Sequence, residues 1–227
     1  MIKKQDLFSI MGGKVIMQPD QYMPTSDAVW VAAFADGKPK TVLDVGTGTG
    51  AVALCLMARI SGIAMTAIDI SPEMIAAAKR NFELNGQRAD FINADILSWR
   101  TNKTFDLVIT NPPYFKGTPA KHNAHHNTDL TLWVRRCIAR TRPNGSFITI
   151  VDAPAVGTVI SEMTAHCGDI QIFPLFSKKN TAERVLLSCR VGRAQSTTIF
   201  RGLSMNHDEI LRDGLGIKET MAKNMLN

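Results

Sequence analysis

Residues 41–50 read TVLDVGTGTG, and this stretch decides the fold. Its first five residues form a short apolar run that is typical of a buried strand. The three glycines that follow allow a tight turn, and the apolar residues 51–60 then predict a helix. A glycine-rich turn from strand to helix is typical of parallel α/β sheets, in which ligands bind beyond the carboxyl ends of the strands.

Strand-like and helix-like segments alternate along the rest of the chain. Beyond a hairpin over residues 10–18, the predicted strands are 41–45, 64–68, 90–93, 105–110, 146–152, 170–176 and 184–191. The predicted helices are 28–34, 51–60, 72–85, 129–140 and 155–166. Only residues 177–183 separate the last two strands, which is too short for a helical crossover, so one of these strands runs antiparallel. We therefore predict an α/β fold with a mostly parallel seven-stranded sheet, one antiparallel strand and helices on both faces.

The length of 227 residues suits one domain. We divide it into a hairpin and first helix (1–36), a core (37–200) and a tail (201–227). No apolar run is long enough to span a bilayer, and the first residues do not resemble a secretory signal. Four widely spaced cysteines predict reduced core thiols. These features exclude membrane, collagen-like and disulfide-scaffold classes and predict a cytoplasmic globular protein.

Positive charge is concentrated in the second half of the chain. Residues 1–114 contain 11 basic and 11 acidic residues, whereas residues 115–227 contain 15 basic and nine acidic residues, which accounts for the net charge of +6. Such an excess fits a polyanionic partner such as nucleic acid, and it fits equally well a generally basic surface.

The acidic residues at the strand ends indicate which ligand the glycine loop binds. The glycine spacing is GxGxG rather than the GxGxxG of dinucleotide sites. Asp44 at the end of the first core strand would repel a pyrophosphate but favours a cation, such as the sulfonium and amino groups of S-adenosylmethionine. Asp69 at the tip of the second strand is placed to accept ribose hydroxyls, and Asp95 after the third strand is placed to accept from the adenine amino group.

A second motif, Asn111-Pro112-Pro113-Tyr114, directly follows the predicted strand 105–110. The prolines stiffen the backbone, and the Asn111 amide oxygen and the Pro112 carbonyl can accept both hydrogens of a planar amino group. Tyr114 and Phe115 can stack on a flat, unpaired base. The alternative is a proline turn that carries a packed aromatic ring, and the upstream glycine loop favours the acceptor site.

Together these motifs resemble the class I S-adenosylmethionine-dependent methyltransferases that act on exocyclic or amide nitrogen. Gln18 and the stretch QYMPTSDA (residues 21–28) are similar to a segment of bacterial tRNA adenine-N6 methyltransferases of the valine-tRNA type. Met23 stands where that family has arginine, and Gln21 stands where it has glycine. The resemblance covers roughly residues 5–200 and implies a Rossmann-like class I methyltransferase fold, with RNA, in particular tRNA, as the partner.

The resemblance also implies roles for individual residues. S-adenosylmethionine is the implied cofactor, and its implied contacts are Asp44, Gly46, Thr47, Gly48, Gly50, Asp69, Ile70, Asp95, Ile96 and Asn111. The implied catalytic residues are Asn111, Pro112 and Tyr114. The implied substrate contacts are Tyr22, Asp27, Phe115, Lys116 and Lys121.

Other candidate residues indicate less. His122, His125 and His126 lack further donors nearby in sequence, so we predict no metal and interpret this loop as solvated or as touching substrate. Arg135, Arg136, Arg140 and Arg142 lie around one helix end, where they fit either an RNA contact or a solvated helix terminus. The cysteines have no base nearby in sequence, which argues against covalent catalysis.

The predicted function is therefore methylation of an adenine N6 amino group in tRNA. A protein-glutamine N5-methyltransferase is one alternative, because a glutamine amide presents a similar amino group. For that class we expect a separate N-terminal helical domain, for which the residues before Gly46 leave no room. An rRNA base N-methyltransferase and an inactive RNA-binding protein on the same fold are further alternatives, although the intact motifs disfavour the inactive protein.

Overall fold

The computed structural model describes residues 7–20, 22–113, 130–178, 180–194 and 196–224. The strands are Phe8–Ile10 (β1), Val15–Met17 (β2), Thr41–Val45 (β3), Ala64–Asp69 (β4), Asp90–Asn93 (β5), Phe105–Thr110 (β6), Thr141–Asp152 (β7), Cys167–Phe176 (β8), Ala182–Val191 (β9), Thr197–Ile199 (β10) and Leu203–Ser204 (β11). The helices are Asp27–Phe34 (α1), Ala51–Arg59 (α2), Pro72–Leu84 (α3), Leu130–Ala139 (α4), Val156–His166 (α5), Asp208–Leu211 (α6) and Ile217–Asn224 (α7).

The main sheet has the predicted topology. Its seven long strands run in the order β5-β4-β3-β6-β7-β9-β8, and β9 alone is antiparallel to its neighbours β7 and β8. The chain runs outward from β3 to β5 on one side and from β6 to β7 on the other. The carboxyl ends of β3 and β6 therefore flank the switch point, where open α/β sheets bind their ligands.

Two short strands at the sheet edge were not predicted. The strands β10 and β11 pair in parallel with β8, and they contain only three and two residues. Hydrophobic periodicity is not measurable over so few residues, and all three β10 side chains are exposed. The edge of β8 determines these strands, because it offers unpaired backbone groups to the chain that passes beside it.

Helices cover both faces of the sheet, as predicted. One apolar cluster joins β3, β6 and β7 to α1, α2 and the C-terminal helices, and a second cluster lies between the sheet and α4 and α5. The helix α1 is buried along its whole length. Arg59 fastens the tail to it by donating to the carbonyls of Ala32 and Gly214, the latter at 3.1 Å.

Local signals in the sequence account for the start of α3. Ser71 caps the helix by accepting a hydrogen bond from the Met74 N–H at 3.2 Å, and Pro72 occupies the first helical position. Within the described ranges, no helix has the length and apolarity needed to cross a membrane. All four cysteines are free and buried, as predicted for core thiols.

Candidate active site

The glycine loop lies between β3 and α2 at the switch point. The Gly46 and Thr47 N–H groups both donate to the Ile68 carbonyl of β4, at 2.9 and 3.0 Å, which fixes the loop against the neighbouring strand. Gly48 adopts a φ of +53°, and a Cβ atom built on it would meet nothing within 4 Å. The backbone at Gly48 therefore borders open space, where a ligand can approach it closely.

Asp69 is held in place from two directions. Its Oδ2 accepts from the Gly48 N–H at 2.8 Å, and its Oδ1 accepts from the Ser71 N–H at 3.0 Å. The side chain is half-buried. Each carboxylate oxygen retains further acceptor capacity, so a nucleoside with two adjacent hydroxyls fits this carboxylate.

The tips of β4 and β5 are joined by Asn93, which sequence reasoning did not assign to the site. Its amide donates to the carbonyls of Asp69 and Ile70, at 3.1 and 2.9 Å. Asp95, two residues further on, is half-buried, and its Oδ1 accepts from the Leu97 N–H at 2.9 Å. Ile70 is 52% exposed beside these acids, whereas the Ile96 side chain belongs to the core.

Asp44 lies beneath the loop rather than in the open space beside it. The Thr47 hydroxyl donates to Asp44 Oδ2 at 2.7 Å, and the backbone N–H of Ala53, in the first turn of α2, also favours the ionised carboxylate. Burial raises the pKa of Asp44 to about 7; the Thr47 hydrogen bond opposes this effect, and the negative charge of Asp69 adds to it. The glycine loop therefore covers the Asp44 carboxyl, and a cation bound nearby would stabilise its ionised form.

Asn111 and Pro112 lie at the carboxyl end of β6 and line a small cleft that is open to solvent. Both residues are half-buried. Asn111, at one end of the cleft, is next to the glycine loop, because β6 and β3 are adjacent strands whose ends pair in register. The predicted site residues Tyr114, Phe115, Lys116 and Lys121 lie outside the described residues, as does the histidine loop.

The opposite wall of this cleft is charged. Asp27 is only 4% exposed, and its Oδ2 accepts from Arg184 Nε at 3.1 Å. Asp152 faces Arg184 across the β7–β9 pairing. Sequence reasoning missed Arg184. The one signal available for it was its position at the start of the antiparallel strand β9, which lies at the same sheet edge as the other site residues. Tyr22, predicted with Asp27, has a side chain that is 55% exposed.

Most of the four arginines around the end of α4 make contacts within the protein. Arg135 pairs with Glu162 at 3.0 Å, Arg142 pairs with Asp106 at 2.9 Å, and Arg140 donates to the carbonyls of Trp99 and Thr101. These contacts favour the structural interpretation for these three arginines. No cluster of three potential metal ligands occurs within the described part of the chain.

Sheet order, glycine loop and strand-end acids together define a class I methyltransferase fold. Residues 25–167 match the family model of the methyltransferase small domain, and the chain belongs to this family. S-adenosylmethionine is the cofactor of this class, so the predicted family and cofactor are confirmed at that level. The Asp69 carboxylate and the open face of Gly48 fit its nucleoside part.

Three known proteins illustrate the similarity. A tRNA1(Val) (adenine(37)-N6)-methyltransferase from Flavobacteriaceae bacterium (strain 3519-10) is 36% identical, covering 57% of this chain and 59% of that protein. A release factor glutamine methyltransferase from Deinococcus radiodurans is 33% identical, covering 60% and 54%. The match thus spans less than two thirds of either relative. A crystal structure described as a predicted O-methyltransferase, from Agrobacterium tumefaciens, has a TM-score of 0.67 at 23% identity, covering 79% of this chain and 88% of that one, and shares the fold.

Proposed function

We propose that this protein is an S-adenosylmethionine-dependent methyltransferase that modifies the N6 amino group of an adenine in tRNA. The observation that carries the proposal is the position of Asn111, which lines a cleft at the end of β6 and follows the strand end that pairs with β3 just before the glycine loop. The similarity to tRNA adenine-N6 methyltransferases supports the choice of substrate. With tRNA as the substrate, a cytoplasmic location follows from the proposal.

The chemistry needs two acceptors and no base before methyl transfer; afterwards the demethylated cofactor leaves as a thioether, and the methylated nitrogen loses one proton to water. S-adenosylmethionine supplies, when bound, a methyl group activated by a sulfonium. The Asn111 amide oxygen and the Pro112 carbonyl would accept the two hydrogens of the target amino group, which frees its lone pair for attack. As the new N–C bond forms, the target nitrogen becomes positively charged and donates more strongly in both hydrogen bonds. These two acceptors therefore contribute most in the transition state.

A protein-glutamine methyltransferase is the second candidate, because one relative is a release factor glutamine methyltransferase. A glutamine amide could be held by the same two acceptors. The two candidates are separated by incubating the protein with labelled cofactor and separate pools of tRNA, rRNA and release factor. We expect label in tRNA, recovered as N6-methyladenosine after digestion. Label confined to release factor would establish the glutamine candidate, and label confined to rRNA would point to another base.

The first prediction concerns the ribose contact. Asp69→Ala removes a charge-assisted acceptor for two hydroxyls, so we expect a loss of about 1.5–3 kcal/mol in cofactor binding, measured by calorimetry. Asp90→Ala is the control, because it removes an exposed carboxylate from the far end of the neighbouring strand β5. Equal affinity in the two variants would remove Asp69 from the cofactor site.

The second prediction concerns the RNA surface. If six to ten phosphates are contacted, tRNA affinity should fall by about 10³–10⁵ between 50 and 200 mM salt, because counterions are released only when RNA binds. Cofactor affinity should hardly change over the same range. A flat salt dependence of tRNA binding would show that the basic half of the chain does not bind the RNA backbone.

Two exposed cations allow this surface to be located. Lys178 and Arg201 have no ion pair within the described ranges. Replacing either with alanine should reduce the slope of log affinity against log salt by about 1 if it contacts a phosphate. Arg212→Ala is the matched control, since Arg212 is exposed but already paired with Asp208 at 3.2 Å. An unchanged slope in the first two variants would place the RNA elsewhere on the protein.

A further inference from the structure

One buried aromatic residue contacts both halves of the candidate site. Trp133 lies in α4, and its ring packs directly against Gly46 of the glycine loop. A Cβ atom built on Gly46 would lie only 3.1 Å from Cζ2 of Trp133. The ring therefore supports the loop from below, at the first of its glycines.

A short chain of hydrogen bonds extends this support to the acceptor motif. The Trp133 indole N–H donates to Thr110 Oγ1 at 3.2 Å, and the Thr110 hydroxyl donates to the Val45 carbonyl at 2.7 Å. Thr110 directly precedes Asn111, and Val45 directly precedes Gly46. The relay thus joins the last residue of β6 to the last residue of β3, immediately before both functional loops begin.

The polar atoms of this relay require an explanation beyond packing. Thr110 is fully buried, and at such a strand position valine has the same shape and an equal or better strand propensity. The Thr110 hydroxyl accepts one hydrogen bond and donates another. These two bonds fix the distance and orientation between two chain segments, which a valine side chain is unable to do. Fully satisfied hydrogen bonds in a low-dielectric interior make such a connection rigid.

We propose that Trp133 and Thr110 are positioning residues that hold the glycine loop and Asn111 in the alignment needed for methyl transfer. Neither residue touches the reacting groups. Both act through the loops that they join, because transfer requires the target nitrogen in line with the methyl group, and a displacement of about 1 Å is able to cost about a hundredfold in rate. This inference rests on the proposed role of Asn111 in the reaction.

Three variants separate positioning from stability. Thr110→Val removes both hydrogen bonds, and Trp133→Phe keeps an aromatic ring in α4 while removing the N–H together with Cζ2 and Cη2, the atoms nearest Gly46. Thr141→Val is the matched control, because the buried Thr141 hydroxyl donates to the Cys137 carbonyl at 3.1 Å, at the far end of α4 and away from both loops. Thr110→Ser, which restores the hydroxyl, is the rescue variant.

We expect the single-turnover rate at saturating cofactor to fall about 10- to 100-fold in Thr110→Val. In Trp133→Phe it should fall at least about threefold, because this variant loses one neutral hydrogen bond and the contact with Gly46. Cofactor Kd should change less than about threefold, and Thr110→Ser should recover most of the rate. Thr141→Val should lower Tm but leave the rate unchanged. A wild-type rate in folded Thr110→Val or Trp133→Phe would overturn the inference. A loss of rate in Thr141→Val that accompanies its lower Tm, as in the other variants, would also overturn it, because lower stability alone would then explain the rates.

A second measurement needs no acceptor. In the wild-type protein, S-adenosylmethionine should slow amide hydrogen exchange both at residues 45–48 and at Asn111, because the relay couples the two loops. In Thr110→Val, which leaves the Trp133 ring against Gly46, protection should persist at residues 45–48 and weaken at Asn111. Equal protection of Asn111 in both proteins would overturn the relay even if no substrate were methylated. Absence of tRNA methylation by the wild-type protein would instead contradict the proposed function, so the two failures are distinguishable.

Discussion

Asn111→Ala is expected to reduce the single-turnover rate of tRNA methylation by about 10²–10³ while leaving cofactor affinity nearly intact. Losses of this size are typical when one preorganised polar contact to a developing charge is removed. Asn111 has the required position, since it follows β6 at the edge of the cleft and lies beside the glycine loop. Its amide oxygen would accept more strongly as the target nitrogen becomes positive, so truncation affects kcat more than binding.

The measurement is rapid-mixing methylation of tRNA with excess enzyme, paired with calorimetry of the cofactor. Asn102→Ala is a suitable control, because Asn102 is an exposed asparagine in the loop before β6, at the opposite edge of the sheet. Wild-type rates in Asn111→Ala would mean that the Asn-Pro-Pro sequence is a structural turn. A parallel loss of cofactor affinity and rate would instead assign Asn111 to the cofactor site alone.

The positions of the glycine loop and of the acidic residues at the strand ends could be predicted from sequence because their determinants are local. The loop 46–50 follows β3 without a gap, Asp69 ends β4, and Asp95 lies two residues beyond β5. Parallel strands bring these three ends to one edge whatever the rest of the chain does. The reversed direction of β9 was predictable for a similar reason, since residues 177–183 are too few for a crossover.

The contacts that sequence reasoning missed join residues far apart in the chain. Arg184 and Asp27 are separated by 157 residues along the chain. Trp133 in α4 contacts Thr110 at the end of β6 and Gly46 in the glycine loop. Such partners are selected by packing between layers of the fold, and no spacing rule within one segment identifies them. The tail shows the same limit, because the pairing of β10 and β11 depends on the exposed edge of β8.

The buried Asp44 leads to the second large effect, a cofactor affinity that depends on pH. Burial raises the pKa of Asp44 from 3.8 to about 7, so below that pH the carboxyl of the free protein is protonated. A cationic ligand held above the loop stabilises the ionised form, and its binding therefore releases a proton in this range. We expect affinity to rise by up to about tenfold per pH unit between pH 5 and 7 and to level off above pH 7.

The Asp44 carboxyl also makes the stability of the ligand-free protein depend on pH, and this stability decreases over the pH range in which cofactor affinity increases. Because the folded-state pKa lies above the unfolded-state value, the native protein retains a proton that the unfolded chain has lost between about pH 4 and pH 7. The free energy of unfolding must then decrease as pH rises through this window. Asp44→Asn removes the titration, so its stability relative to wild type should increase with pH, by about 1.4 kcal/mol per unit at most.

Thr47→Val tests the assignment independently of any change at Asp44 itself. The Thr47 hydroxyl donates to Asp44 Oδ2 and lowers its pKa, so valine should move the midpoint of the affinity profile to higher pH. Asp44→Asn should flatten the profile, measured by calorimetry from pH 5 to 8. Wild-type pH dependence retained in Asp44→Asn would mean that another group titrates, and that the buried carboxylate supports the loop without responding to the cofactor's charge.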